Sequence, residues 1–305
     1  MKTNTNKKAR PFLKWVGGKG QLLTQLENLF PKEYNSYFEP FVGGGAVFFS
    51  LDPKKAHIND INKTLIQTYI HIKENVDKLI KSLKKLEKEF LAKNDNERKD
   101  FYYSIRNNYN LLSPKDFKRS LYFLFLNKTA FNGIYRENSK GEFNVPMGSY
   151  KNPKIVDEEN LKAISKILSK TKITSGSFID AVKNAKAGDF VYFDPPYYPL
   201  SETSSFTGYN KDSFSKDDQI RLRDLFIELD KRGVNVMLSN SSTPFIQEIY
   251  SVYKQIPVYA NRMINSRSDK RGKIAEVLIV NYQPLLNLEN VFVKDLDIFS
   301  QYQYQ

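Results

Sequence analysis

One stretch near the start of the chain limits the fold more than any other. Residues 37–41 read as a short strand, residues 43–45 are all glycine, and residues 46–49 open a helix. Residues 56–60 read as a second short strand, which ends in an acid. A strand, a glycine-rich turn, a helix and an acid-terminated strand form the βαβ unit of an open α/β sheet. We therefore predict an α/β fold.

The βαβ unit also predicts a ligand site. Glycines let the backbone turn tightly and approach a ligand, and Asp60 can accept hydrogen bonds from both hydroxyls of a ribose. Ligands of the NAD type and of the S-adenosylmethionine (AdoMet) type both carry such a ribose. The glycines lack the G-x-G-x-x-G spacing, which disfavours a dinucleotide. An NAD-type oxidoreductase nevertheless stays open as an alternative.

A second buried strand ends in a carboxylate followed by two prolines. Residues 190–193 are apolar or aromatic. The strand stops at Asp194 because Pro195 and Pro196 cannot donate to a ladder. In an open α/β sheet, ligands bind at this end of the strands. The Asp194 carboxylate and the Pro195 carbonyl are a fixed pair of acceptors for the two hydrogens of an exocyclic amine, with the flat face of Tyr197 beside them.

Composition narrows the class of protein. The 305 residues carry a net charge of +13, which favours a polyanion such as nucleic acid as partner. There is no cysteine, so disulfides, thiolate nucleophiles and cysteine zinc sites are excluded, and His57 and His71 are the only histidines. We expect both histidines to be structural and expect no metal site. No signal peptide or apolar run long enough for a bilayer is apparent, so we expect a cytoplasmic protein without membrane contact.

The middle of the chain interrupts the alternation of strands and helices. Residues 62–72, 76–90 and 115–126 have helical periodicity, and residues 95–100 read as a charged linker. This pattern predicts a helical insertion. The α/β pattern then resumes, with a helix at 157–168, a strand at 173–178, a helix from the Ser215–Asp218 capping box to Lys231, and strands at 234–238 and 274–281. Residues 1–10 read as a mobile basic arm and residues 200–214 as a polar loop.

A hairpin is predicted at the end of the insertion. Asn132-Gly133 and the segment 139–141 are both turn signals. Between them, Ile134 and Arg136 fall on one side of a short strand, because side chains alternate. An arm with an apolar tip and an arginine suits a DNA groove. An ordinary surface hairpin with an ion-paired arginine is the alternative.

Four features taken in order resemble the Dam and DpnM type of DNA adenine methyltransferase. They are Lys-Trp-x-Gly-Gly-Lys at 14–19, Phe-Glu-Pro-Phe-x-Gly-x-Gly at 38–45, the helical insertion, and Asp-Pro-Pro-Tyr at 194–197. The resemblance covers residues 11 to about 282. It implies a Rossmann-like AdoMet-dependent methyltransferase core with an inserted, mainly helical DNA-recognition domain carrying a β-hairpin. The core would be residues 1–61 and 151–283, the recognition domain residues 62–150, and residues 284–305 a tail of unknown role.

The resemblance also implies roles for individual residues. The catalytic positions would be Asp194, Pro195, Pro196 and Tyr197. The AdoMet-binding positions would be Trp15, Gly17, Gly18, Lys19, Glu39, Pro40, Gly43, Asp60, Ile61, Phe178 and Asp194. The DNA-binding positions would be Lys14, Phe131, Asn132, Ile134, Arg136, Pro146 and Tyr150. Phe131 stands where some relatives have tyrosine, so a stacking role survives there but a hydroxyl contact does not.

The implied reaction is methylation of the N6 amine of an adenine flipped out of double-stranded DNA, within GATC. We expect a monomer. The sequence leaves open whether a cognate restriction endonuclease accompanies it. An RNA or protein amino-methyltransferase is a near alternative, and a non-catalytic DNA-binding protein a more distant one, since it would not explain an intact AdoMet pocket.

Overall fold

The computed structural model describes residues 8–200, 214–261 and 273–284. Its centre is a seven-stranded sheet in the order β3-β2-β1-β4-β5-β7-β6. The strands are β1 (Tyr37–Glu39), β2 (Ala56–Asp60), β3 (Thr171–Ser175), β4 (Phe190–Phe193), β5 (Asn235–Ser241), β6 (Lys254–Asn261) and β7 (Lys273–Val280). Strands β1 to β5 pair in parallel, and β7 runs antiparallel to both of its neighbours. The predicted α/β, Rossmann-like methyltransferase fold is confirmed.

Helices flank the sheet and fill the segment between β2 and β3. They are α1 (Leu23–Glu27), α2 (Ala46–Leu51), α3 (Lys63–Leu91), α4 (Asp95–Leu111), α5 (Phe117–Thr129), α6 (Glu158–Ser169), α7 (Phe178–Val182), α8 (Lys216–Lys231) and α9 (Pro244–Ile249). The capping box predicted at Ser215 and Asp218 is present at the start of α8. In the described part of the chain, no helix is long and apolar enough to cross a membrane.

The predicted charged linker at 95–100 is wrong, because α4 begins there. The Asn94 side chain accepts from the backbone N–H of Glu97, whose own side chain accepts from the N–H of Asn94. This reciprocal cap starts the helix, and its charged residues face solvent while Tyr102 and Tyr109 are buried. The two helical segments predicted at 62–72 and 76–90 lie in α3 on either side of a kink at Asn75, where the backbone is not helical.

The insertion shares its core with the sheet. A single cluster of buried side chains includes Tyr37 of β1, Leu65 and Leu79 of α3, and Phe123 and Phe125 of α5. The helical segment is therefore fixed to the sheet by apolar packing. Residues 1–7, 201–213 and 285–305, which include most of the predicted basic arm, polar loop and tail, lie outside the described residues.

Candidate active site

The sheet changes direction between β1 and β4, and the loops that follow these two strands meet there. Tyr37 of β1 pairs in parallel with Phe190 of β4, while β1 leads on to β2 on its other side. Such a switch point leaves a crevice at the carboxyl ends of the strands. The glycine-rich turn follows β1 and Asp194 follows β4, so the fold brings the two predicted motifs to one crevice.

A buried lysine from the first motif lies on Asp194. Lys19 Nζ is 2.8 Å from Asp194 Oδ1 and only 5% of its side chain is exposed. It also donates to the Gly17 carbonyl (3.1 Å) and lies 4.6 Å from the centre of the Tyr197 ring. Burial raises the pKa of Asp194, and the Lys19 ammonium opposes that rise. Predicted as an AdoMet contact, Lys19 thus touches both the carboxylate and the aromatic ring of the Asp-Pro-Pro-Tyr segment.

Buried amides hold the backbone on both sides of Tyr197. Gln219 Nε2 donates to the Pro196 carbonyl (3.0 Å), and Asn240 Nδ2 donates to Gln219 Oε1 (3.0 Å). Asn240 Oδ1 in turn accepts from the Tyr198 N–H (3.1 Å). Gln219 and Asn240 are both fully buried. Because each amide donates and accepts along one chain of hydrogen bonds, its orientation is determined and the loop is clamped to α8 and β5.

The side chain of Tyr197 has a partner of its own. Its hydroxyl donates to Glu276 Oε2 of β7 at 2.6 Å. Burial raises the pKa of Tyr197 well above its usual range, and Asp194 and Glu276 raise it further, so the phenol stays protonated and can donate. Tyr197 is therefore held at its backbone and at its hydroxyl.

On the other side of the crevice, Asp60 binds the glycine-rich turn. Its Oδ2 accepts from the Gly43 N–H (3.0 Å) and its Oδ1 from the Asn62 N–H (2.9 Å). Burial raises the pKa of Asp60, and these backbone donors oppose the rise. Gly43 has φ +47°, and a Cβ there would lie 2.8 Å from Trp15 Cδ1, so the turn needs glycine for both its conformation and its contact. Ile61, next to Asp60, is 80% exposed.

Glu39 and Pro40, which connect β1 to the turn, are engaged within the protein. Glu39 is only 2% exposed, and Oε2 of its carboxylate accepts from the Tyr37 hydroxyl at 2.7 Å. Burial raises the pKa of Glu39 well above its usual range. The Pro40 carbonyl accepts from Asn59 Nδ2 (3.1 Å), which also donates to the Gly176 carbonyl (2.9 Å). Asn59 thereby ties the loop after β1 to the loop after β3.

Aromatic rings line the crevice at two places. Phe178 stacks on Phe41 with ring centres 5.3 Å apart, and Phe214 contacts both rings at 5.7 Å. Trp15 stacks on Tyr135 with ring centres 5.4 Å apart. The Trp15 side chain therefore joins the glycine-rich turn to the segment that follows α5.

The residues predicted to contact DNA gather around the end of α5. The Lys14 N–H donates to Asn127 Oδ1 (2.9 Å), and Asn127 Nδ2 donates to the carbonyls of Lys14 (2.8 Å) and Gly133 (3.0 Å). Lys14 Nζ lies 3.3 Å from the Tyr150 hydroxyl and 5.1 Å from the ring centre. The buried Asn127 therefore joins the first motif to the predicted turn at Asn132-Gly133, where Asn132 has φ +54°.

The predicted hairpin is an antiparallel turn with isolated bridges in place of two regular strands. The bridges pair Glu137 with Phe143 and Ala130 with Met147. Arg136 is exposed, and its Nε donates to Asn144 Oδ1 at 2.8 Å. Further positions from the prediction are also accessible: Phe131 is 50% exposed, Asn132 and Pro146 are exposed, and Ile134 is half-buried.

Comparison with known proteins decides the family. A model of the D12 class N6 adenine-specific DNA methyltransferases matches residues 15–264. The chain belongs to this family. It is 48% identical over 278 residues to the type II methyltransferase M1.LlaDCHI of Lactococcus lactis subsp. cremoris, covering 90% of this chain and 95% of that one.

Two further relatives are similar over nearly their whole length. The type II methyltransferase M.MjaIII of Methanocaldococcus jannaschii is 50% identical over 286 residues, which cover 90% of this chain and 99% of that one. A DNA adenine methylase of Haemophilus influenzae is 37% identical over 274 residues, which cover 90% of this chain and 94% of that one. The predicted enzyme class, an adenine-specific DNA methyltransferase, is confirmed.

Sequence reasoning missed several residues of this methyltransferase that touch the predicted site. Gln219 sits on the apolar side of an amphipathic helix, where a buried amide leaves no signature in the periodicity. Asn240 carried a signal, since it lies in a polar pair that ends a buried strand. Glu276 carried the strongest one: it is an acid in the otherwise apolar run 274–280, and a buried charge needs a partner. Asn127 and Tyr135 have no recognisable signal in the sequence, and only their contacts in the fold show that they touch the predicted site.

Proposed function

We propose that this enzyme transfers the methyl group of AdoMet to the N6 amine of an adenine flipped out of double-stranded DNA. The observation that carries the proposal is the juxtaposition at the switch point. Asp194 and the Tyr197 ring stand on one side of the crevice, within a clamped loop, and Asp60 with the glycine-rich turn stands on the other. A base and a nucleoside-bearing donor can thus meet between the two loops.

The residues around Asp60 fit AdoMet. The Asp60 oxygens each accept one of the two backbone hydrogen bonds described above, which leaves lone pairs for ribose hydroxyls. The exposed Ile61 follows directly, and Phe178 begins α7 just after Gly176, whose N–H donates to the Asp60 carbonyl (3.3 Å). Apolar side chains for an adenine ring are therefore present in both loops. Phe178, Asp60, Ile61 and the turn at Gly43 would hold the molecule, and when bound it supplies an electrophilic methyl group on a sulfonium.

On the base side, Asp194 and Pro195 prepare the amine. The lone pair of an exocyclic amine is delocalised into the ring and is a poor nucleophile. The Asp194 carboxylate and the Pro195 carbonyl accept its two hydrogens, which favours a pyramidal nitrogen with its lone pair free for attack. Tyr197 stacks on the flipped base and so offsets part of the free-energy cost of unstacking that base from the duplex. The acceleration of methyl transfer would come from positioning of the reacting groups and from preorganised electrostatic stabilisation.

The charges around Asp194 suit this chemistry. The Asp194 side chain is 18% exposed, and in the described part of the chain its close cation is Lys19, while the negative charge of Glu276 acts on it from β7. Methyl transfer leaves positive charge on the amine nitrogen until a proton departs. The Asp194 carboxylate, on which the amine would lie, stabilises that charge.

The test is methylation of adenine-unmethylated plasmid DNA by the wild type and by Asp194→Ala. Removing one preorganised acceptor should lower the single-turnover rate by about 10²–10³-fold, with DNA affinity retained. Asp224→Ala, an exposed acid on α8, is the matched control and should methylate at the wild-type rate. Near-wild-type turnover by the Asp194 variant would remove Asp194 from the mechanism. Absence of N6-methyladenine in the wild-type product would refute the reaction.

We infer that residues 62–150 are the recognition domain and that its hairpin reads GATC. Arg136 supports this inference, because it is exposed and, within the described residues, its hydrogen bond is made by Nε to Asn144 while its terminal nitrogens make none. A guanidinium can give a bidentate pair to guanine O6 and N7, worth about 1–3 kcal/mol. Lys14 and Tyr150, on the far side of Asn127, would contact the first base pair.

Arg136→Ala tests the reading role. Methylation of a GATC duplex should fall about 5–100-fold, while duplexes altered at the guanine read by Arg136 should fall much less. Lys140→Ala, at the exposed tip of the same turn, should change neither. Equal losses on every duplex, with a smaller salt dependence, would place Arg136 on the phosphate backbone.

We also propose that the enzyme protects DNA in a type II restriction-modification system and acts as a monomer. The two relatives at 48% and 50% identity bear type II names, whereas the relative named DNA adenine methylase is 37% identical. Cell extract of the source organism should then cleave unmethylated DNA at the site this enzyme methylates. Absence of such cleavage would favour a methyltransferase without a partner endonuclease. For the oligomeric state, sedimentation analysis should give the mass of a single chain.

A further inference from the structure

Tyr197 is held far more rigidly than an aromatic ring on a loop would be by packing alone. Its neighbours Pro196 and Tyr198 are bound by the Gln219–Asn240 amides. Ser241 Oγ adds a donor to the Tyr198 carbonyl at 2.6 Å. These contacts fix the Cα and Cβ of Tyr197 but leave rotation about its side-chain bonds open.

Glu276 restricts the remaining freedom. Its Oε2 accepts from the Tyr197 hydroxyl at 2.6 Å, at the far end of the ring from Cβ. Anchoring the ring at both ends fixes its long axis. Because a phenol O–H lies in the plane of its ring by conjugation, the direction of Glu276 also favours one ring plane about that axis. No other part of the described chain makes a hydrogen bond to this hydroxyl.

The location of Glu276 makes it a rigid support. It lies on β7, an inner strand paired with β5 on one side and β6 on the other. Its cross-strand partner on β5 is Ser241, the residue that binds the Tyr198 carbonyl. The side chain and the backbone of the catalytic loop are therefore held by directly paired positions of the sheet.

We propose that Glu276 is a positioning residue of methyl transfer, which sets the plane of the Tyr197 ring against which the target base stacks. The inference rests on the proposed function, in which Tyr197 receives the flipped adenine. Glu276 acts through Tyr197 and touches neither the base nor AdoMet. A loss of orientation at Tyr197 misaligns the amine relative to its acceptors, so the effect falls on the rate of transfer more than on binding.

The test is a double-mutant cycle on single-turnover methylation of adenine-unmethylated plasmid DNA. Glu276→Ala and Tyr197→Phe each remove the same hydrogen bond, so each should slow transfer about tenfold. The double variant should be no slower than the slower single variant, because the two residues act as one unit. Glu276→Gln keeps an acceptor oxygen and should restore the rate to within about threefold of wild type.

Two further readouts separate positioning from damage. AdoMet affinity by calorimetry and the melting temperature should be unchanged in Glu276→Gln. Glu248→Ala, an exposed acid on α9, is the control and should behave as wild type in every assay. If Glu276→Ala is too unstable to assay, Glu276→Leu, which also lacks the acceptor but fills the space, takes its place in the cycle.

Each outcome decides the proposal. Rate losses that multiply in the double variant would mean that Glu276 acts independently of Tyr197, and wild-type rates in both single variants would mean that the ring needs no support; either result overturns the inference. Failure of the wild-type enzyme itself to methylate the plasmid would instead refute the proposed function.

Discussion

Removing the positive charge of Lys19 should change the pH dependence of methyl transfer. Asp194 accepts a strong, charge-assisted hydrogen bond from the amine only when it is ionised, because a protonated carboxyl is a weaker acceptor. Burial raises its pKa, and the Lys19 ammonium at 2.8 Å is the nearby charge that lowers it. In Lys19→Met the pKa of Asp194 therefore rises further. The rate should fall at acid pH and recover as the pH rises through the new pKa.

The size of the shift follows from the geometry. At 2.8 Å, two unit charges attract by about 6 kcal/mol at an effective dielectric constant of about 20. Relaxation and water entering the vacated space offset much of this attraction. Opposite charges at contact commonly shift a carboxyl pKa by about 1–3 units. We expect the acid limb of the profile to move upward by about that amount.

The assay is the single-turnover rate of N6-methyladenine formation from about pH 5.5 to 9, the range over which a raised carboxyl pKa would show. AdoMet is kept saturating, because Lys19 adjoins its predicted site. Lys19→Arg retains the charge and should keep the wild-type acid limb. Lys84→Met removes an exposed lysine paired with Glu158 and controls for net charge. An unchanged acid limb in Lys19→Met would show that Lys19 does not set the ionisation of Asp194.

Three further variants probe the two loops. Asp60→Ala should weaken AdoMet binding in calorimetry by roughly 1.5–3 kcal/mol, as expected for a lost charge-assisted hydrogen bond, with DNA affinity intact; equal affinities would refute the ribose role. Gly43→Ala should weaken the same binding, because the new methyl group collides with Trp15, and a wild-type isotherm would contradict this. Gln219→Leu leaves the Pro196 carbonyl unpaired and should cost about 1–3 kcal/mol of unfolding free energy in urea; an unchanged midpoint would argue against the amide clamp.

Much of the site was predictable because its residues follow recognisable strands. Asp60 and Asp194 end buried strands, and both reach the crevice as parallel topology requires. The association of Lys19 with Asp194 was not predictable, since the two residues are 175 positions apart and only the folded chain brings them into contact. The resemblance named both residues but could not give their mutual distance.

The errors lie where local and tertiary signals compete. Residues 95–100 are charged enough to read as a linker, yet the reciprocal cap between Asn94 and Glu97 starts a helix there. Strand β6 was missed altogether. It includes Pro257 and has polar residues at both ends, and eight paired residues of β7 hold it in the sheet at the edge, where proline is tolerated. A local cap decided the first case, and pairing with a strand distant in sequence decided the second.

The six residues from Lys14 to Lys19 connect two ends of the enzyme. Lys14 is fastened through Asn127 to the turn at Asn132-Gly133, and Lys19 is fastened to Asp194. Between them the Gly18 N–H donates to the Trp15 carbonyl (3.2 Å), so the segment is a tight turn. Under the proposed function, a duplex that displaces Lys14 would therefore shift the counterion of Asp194 through this turn. The enzyme would then discriminate between DNA sites at the methyl-transfer step, after binding. Near-cognate DNA would be held with ordinary affinity and modified slowly.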